Sequence, residues 1–258
     1  MILEAKNIGF MYKNTGYILK NVDLTISSGE IVGLIAKSGY GKTTFAKIIS
    51  GYLKQSWGEV LINGKDIPQT GFHPVQLIFQ HPEKSMNPRW KMKKSLCENG
   101  DLDEELIDTL GIRKTWLWRY PNELSGGELQ RFAIARAITK DTKFLIADEI
   151  TAMLDGVTQA QIWHSLIKIS QKNNMGIIVI THNKELANKI CTRIVKLNEI
   201  NNIILKDAQE GVMFSISLVG IMSFWLGIMN IAEESGLIKK LSKGLRPIMR
   251  ILFPDIPD

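Results

Sequence analysis

The chain has 258 residues, enough for one large domain or for an ordinary domain with an appendage. Hydrophobic residues make up 45% and charged residues 22%, a balance that excludes a disordered, collagen-like or disulfide-dense chain. The formal charge of +6 is modest and scattered, so it gives little support for a nucleic-acid partner.

The predicted elements follow in chain order. Ile2–Phe10 and Val22–Ile26 alternate polar and apolar residues between turns at Lys13–Gly16 and Ser27–Gly29, the pattern of antiparallel edge strands. No basic stretch followed by an apolar run opens the chain, so no signal peptide is read. Short β-branched runs then recur at Ile31–Ile35, Val75–Phe79, Phe144–Ala147, Ile177–Ile180 and Ile194–Leu197. Phe45, Ile48, Ile49, Tyr52 and Leu53 share one face of a helix between the first two. Leu96–Leu110 is charged and amphipathic, and reads as a small helical insertion. Strand–helix alternation of this kind predicts an α/β domain with a parallel core sheet over residues 1–206. Residues 211–232 carry no charge for 22 positions, which is long enough for a membrane span. A boundary is therefore expected near Lys206–Glu210, with a hydrophobic helical tail over 207–258.

Three stretches carry chemistry. Ala36-Lys37-Ser38-Gly39-Tyr40-Gly41-Lys42-Thr43-Thr44 follows a strand and opens a helix, as a phosphate-binding loop must. A triphosphate needs several donors aimed at it, and the unpaired amides of a helix start provide them. Gly39 and Gly41 let the backbone approach, Lys42 places a cation on the β- and γ-phosphates, and the Thr43 hydroxyl can ligate Mg²⁺. The leading position of the pattern is Ala36 instead of glycine; a positive φ there would strain the loop and weaken nucleotide binding. Phe144–Glu149 is an apolar strand ending in two acids, with Asp148 placed for the Mg²⁺ shell and Glu149 for the attacking water. Leu124-Ser125-Gly126-Gly127-Glu128-Leu129-Gln130-Arg131 precedes the helical run Phe132–Ile138 and forms a second anion-binding design.

In this order the motifs resemble the ATP-binding cassette family, across roughly residues 1–206. Ala36–Thr43 looks like its first Walker motif, Phe144–Glu149 its second, and Leu124–Arg131 its signature. Gln80 resembles the Q-loop glutamine, Asp155 the D-loop aspartate, His182 the switch histidine and Tyr12 the aromatic residue that stacks on adenine. The resemblance implies a P-loop NTPase fold with an antiparallel N-terminal β-subdomain and a small helical subdomain. It implies ATP and Mg²⁺ as cofactors, with Gln80 and His182 sensing or positioning the γ-phosphate and Gln80 joining Thr43 and Asp148 at the metal. Ser125, Gly126 and Gly127 would act on ATP held by a second subunit, head to tail. The stretches Phe79–Arg89 and Tyr120–Ser125 look like the peptide and nickel importer branch, which adds a permease, a solute-binding protein and a place on the cytoplasmic face of the membrane. The stretch between Gln80 and Ser125 is shorter than is usual there. A soluble, non-transport cassette ATPase is the alternative, although neither paired cassettes nor a long coiled-coil insertion is present.

Other residues have bland readings. Lys84, Arg89, Lys91, Lys93 and Lys94 read as a solvated face, Trp116 and Trp118 as packing in the insertion. Cys97 and Cys191 read as inert thiols, with no histidine at metal spacing.

The tail does not fit an ATPase. Residues 211–258 resemble a piece of the spore-maturation and nucleoside-recognition membrane family, with Gly220, Ser223 and Gly227 as small residues for helix packing. Five basic residues beyond the apolar run predict a cytoplasmic C-terminal side, yet an ATPase before it must also face the cytoplasm. One span cannot satisfy both. The readings are a re-entrant or interfacial helix, a helix hidden against a partner, or an unnatural junction of two coding fragments, and the abrupt change of family near residue 208 favours the last.

Overall fold

The computed structural model describes residues 1–12, 16–36, 39–68 and 70–236. The chain divides into two units at Asn201/Asn202.

In the first unit, β1 (Ile2–Tyr12) and β2 (Gly16–Ser27) pair antiparallel, with Leu3 opposite Ile26 and Ala5 opposite Leu24. β4 (Trp57–Ile62) and β5 (Lys65–Asp66) complete a four-stranded sheet in the order β2-β1-β4-β5. The sequence reading had no strands at β4 and β5. Their signal was present in Asn63-Gly64, a two-residue turn with both residues at positive φ.

The second sheet is parallel, in the order β6-β7-β8-β3-β9. Its strands are β3 (Ile31–Ile35), β6 (Val75–Ile78), β7 (Phe144–Asp148), β8 (Gly176–Ile180) and β9 (Arg193–Lys196). The central strands are buried on both faces, which is why they read as unbroken apolar runs. Alternate residues serve two cores. Leu145, Ala147, Ile177 and Val179 pack with α4 (Gly126–Ala137) and α5 (Gly156–Asn173). Phe144, Ile146, Ile178 and Ile180 pack with α1 (Lys42–Ile49) and the antiparallel sheet.

Two helix expectations change. α1 stops at Ile49, because the amides of Gly51 and Tyr52 turn back onto the carbonyls of Ile48 and Lys47. Tyr52 therefore lies beyond the helix and is exposed, its ring edge-on to Phe79. The insertion is not one helix over Leu96–Leu110. It breaks into α2 (Met92–Leu96), a 3-10 turn at Cys97–Asn99 and α3 (Glu104–Thr109), whose cap Asp103 accepts from the Leu106 amide. Trp116 is buried, as expected, but Trp118 is 59% exposed. Lys91 and Lys93 stand over its ring and Lys94 over that of Trp90, so the basic run covers indole faces while meeting solvent. Both cysteines are free and half-buried, and burial pushes the Cys191 thiol up to about 11, which keeps it protonated near neutrality.

α6 (Lys184–Ile190) precedes β9, and α7 runs Asn198–Glu234. Within α7, Ser215–Ala232 is long and apolar enough to cross a membrane, and its side chains are exposed as far as Ile231. The basic residues from Lys239 onward lie outside the described residues.

Phe132 is fully buried on α4, between the parallel sheet and the small helices. Phe132→Ala is expected to lower the unfolding free energy by about 3–5 kcal/mol, read from urea titrations followed by circular dichroism.

Candidate active site

The loop after β3 turns into α1 through Gly39 and Gly41, at φ 86° and 76°. At Gly41 a Cβ would stand 2.8 Å from Leu19 and 2.9 Å from Ile18, so a side chain would collide as well as strain the backbone. Gly41 is also the N-cap of α1 and offers no side-chain acceptor to the first-turn amides. A helix start without a side-chain cap suits an anion. Lys42 is buried, and its Nζ donates to the Ala36 carbonyl at 2.6 Å. Ala36 is not among the described residues with positive φ, so the strain considered for this position does not arise. Ser38 lies outside the described residues.

Asp148 ends β7, next but one to β3 across β8, and this sheet order brings it to the loop. Thr43 Oγ1 donates to Asp148 Oδ2 at 2.8 Å. Burial pushes the Asp148 carboxyl above the usual range, while the Thr43 bond and the Lys42 charge pull it back. Glu149 follows at φ 51°, its amide donating to the Ile180 carbonyl at 2.9 Å. Gln80 Nε2 donates to Glu149 Oε2 at 3.3 Å, and His182 Nδ1 lies 3.4 Å from Glu149 Oε1. Gln80 and His182 each follow a strand of the parallel sheet, so three adjacent strand ends meet at one carboxylate.

A cavity of about 290 Å³ joins Gly39, Tyr40, Gly41, Lys42, Thr43 and Thr44 to Gln80, Asp148 and Glu149. Ile18 also lines it, a wall residue that the sequence reading missed because an isoleucine in a strand carries no chemical signal. The residues suit a magnesium nucleotide. Uncapped amides and a buried lysine suit phosphates, and a hydroxyl beside one buried carboxylate suits a hard cation that keeps most of its ligands from phosphate and water. Among the described residues no group of three or more His, Cys, Asp or Glu could hold a metal, so the protein gives this ion few ligands of its own.

Other expected site residues lie apart from that cavity. Ser125 caps α4 in a reciprocal box with Glu128, and a Cβ on Gly127 would stand 2.9 Å from Thr158 Cγ2 of α5. Ser125, Gly126 and Gly127 do not line the phosphate cavity. Asp155 caps α5 by accepting from the Val157 and Thr158 amides at 3.0 Å each, and hydrogen bonding from the Thr158 side chain first, then from these amides, holds its carboxyl below the usual range. Tyr12 is exposed at the end of β1, edge-on to Phe10. Arg131, not singled out from the sequence, donates to the Leu110 carbonyl and to Gln161 of α5, tying the signature helix to its neighbours.

Comparison with known proteins agrees with this geometry. Residues 19–152 match the model of the family described as ABC transporter. The nickel import ATP-binding protein NikE of Pseudomonas putida is 30% identical over 224 residues, covering 76% of this chain and 82% of that protein. The oligopeptide transport ATP-binding protein OppF of Streptococcus mutans is 31% identical, covering 75% and 70%. A solved dimeric ATP-binding cassette in a post-hydrolysis state, bound to ADP and phosphate, is 27% identical with a TM-score of 0.66, covering 75% of this chain and 93% of its own. The chain belongs to the ABC transporter family. More narrowly, it carries an ABC ATPase domain that uses ATP with Mg²⁺, and the relatives it matches are ATP-binding subunits of nickel and oligopeptide importers.

A folded-state pKa raised at Asp148 means that its charge costs stability once the pH rises through that value. Asp148→Asn removes this cost. It is expected to raise the melting temperature of the nucleotide-free protein near neutral pH, with the gain shrinking in acid, while Mg²⁺-dependent ATP turnover falls about 100- to 1,000-fold. Scanning fluorimetry and a phosphate-release assay read the two effects. Lys42→Ala is expected to abolish saturable binding of a fluorescent ATP analogue, because it strips the site of a buried cation.

Proposed function

We propose that the chain is the ATP-hydrolysing subunit of an importer for peptides, nickel or a related small solute. The observation that carries this is the joint placement of Lys42, Thr43, Gln80, Asp148 and Glu149 around one cavity, with His182 beside Glu149, in a chain whose relatives are importer ATPases. Lys42 neutralises charge on the β- and γ-phosphates, and Thr43, Asp148 and Gln80 attend the magnesium. Glu149 orients or deprotonates the attacking water, with His182 and Gln80 at the γ-phosphate. Tyr12 stacks on the adenine.

Ser125, Gly126 and Gly127 stand away from this cavity at the start of α4, and Asp155 caps the helix beside them. In our reading they serve the ATP of a second cassette subunit, identical or not, so that ATP joins two subunits and its hydrolysis releases them. That change moves a separate membrane permease, supplied by a solute-binding protein, from the cytoplasmic face. Residues 1–206 do this work. We read 207–258 as a hydrophobic tail of the spore-maturation type, joined at a coding junction; transcript sequencing across residue 208 and the mass of the natural product test that.

Glu149→Gln is expected to keep ATP binding, to lose hydrolysis by about 100-fold or more, and to accumulate an ATP-bound dimer on sizing chromatography with MgATP. Turnover at the unmutated rate would remove Glu149 from its role. Pull-down of a permease separates the importer from a soluble cassette ATPase.

A further inference from the structure

Glu149 holds a backbone conformation that costs energy for any residue with a Cβ, and something must maintain it. The chain from Glu149 to Asp155 shows what does. It leaves β7 in two tight turns, with the Ala152 amide donating to the Glu149 carbonyl at 3.1 Å and the Leu154 amide to the Thr151 carbonyl at 3.2 Å. Thr151 sits between those turns and is 3% exposed. Its hydroxyl oxygen accepts two hydrogen bonds from α5, from Gln159 Nε2 at 2.8 Å and from Trp163 Nε1 at 3.1 Å.

Trp163 is also buried, and an indole N–H can only donate, so this acceptor is what satisfies it. Gln159 also reaches the Thr151 carbonyl, at 3.4 Å. A cavity of about 130 Å³, lined by Glu149, Thr151, Gln159, Trp163 and His182 among others, adjoins the turn. It gives the turn room to move if the hydroxyl contacts are lost.

We propose that Thr151, Gln159 and Trp163 are positioning residues for hydrolysis. They fix the 149–152 turn on the rigid helix α5 and so keep Glu149 aimed between Gln80 and His182. None of the three lines the phosphate cavity, so nucleotide binding does not depend on them. The proposal rests on the reading of Glu149 as the residue that handles the attacking water.

The test uses the full chain and separates kcat from KM. Thr151→Val keeps the shape and removes the hydroxyl, Thr151→Ser keeps the hydroxyl, and Trp163→Phe keeps an aromatic ring but removes the N–H. Thr151→Val and Trp163→Phe are each expected to lower kcat about tenfold with KM for MgATP changed less than about twofold, while Thr151→Ser stays within about twofold of the unmutated kcat. Ile169→Ala, which empties a buried position near the far end of α5, controls for stability. It lowers the melting temperature and leaves the kcat of the folded protein unchanged. Glu149→Gln is run alongside. If that variant is inactive while Thr151→Val and Trp163→Phe keep full kcat, or if Thr151→Ser falls as far as Thr151→Val, the positioning role is overturned. If Glu149→Gln turns over normally, the reading of Glu149 itself fails and takes the proposal with it.

Discussion

Thr43 and Asp148 are 105 residues apart in the chain, yet the hydroxyl of one donates to the carboxylate of the other at 2.8 Å. That contact joins the two halves of the nucleotide site, because Thr43 opens α1 after the phosphate loop and Asp148 ends β7. It exists because β8 alone separates β3 from β7 in a parallel sheet, so both strands deliver their C-terminal ends to the same edge. Ligands gather at such an edge in α/β folds. Burying a carboxylate there is unfavourable until a cation arrives, as the raised Asp148 carboxyl records. In the proposed mechanism a bound magnesium would relieve that cost.

A second consequence of the architecture is division of labour. The apolar faces of the parallel sheet are fully committed, one to α4 and α5, the other to α1 and the antiparallel sheet. Chemistry is left to the strand ends and the loops beyond them. Gln80, Glu149 and His182 meet there through contacts of 3.3 and 3.4 Å. The signature residues instead cap α4 outside the cavity.

Much of this was legible in the residues. Strands buried on both faces read as apolar runs, and all five runs became parallel strands. Glycine spacing announced the loop before α1, and paired acids announced the end of β7. What escaped has physical reasons. β4 and β5 were hidden because their signal lay in a turn dipeptide, Asn63-Gly64, while β4 is mostly half-buried and β5 is two exposed charged residues. The break between α2 and α3 was hidden because charge and amphipathicity continue through it, while Asp103 and Gly100 set the ends. Trp118 looked like core by composition, but the lysine chains beside it let it stay at the surface. Ile18 and the hydrogen bonds to Thr151 depend on tertiary contacts that no local pattern encodes.

In the proposed mechanism the metal is held jointly by Thr43, Asp148, Gln80 and a triphosphate, with too few protein ligands to hold it alone. Equilibrium binding of Mn²⁺ as a stand-in for magnesium, followed by its electron paramagnetic resonance signal, tests this directly. The account predicts weak binding to the nucleotide-free chain and tight binding of one ion per chain once ATP is added. Tight binding without nucleotide, or an ATP affinity indifferent to the metal, would contradict it.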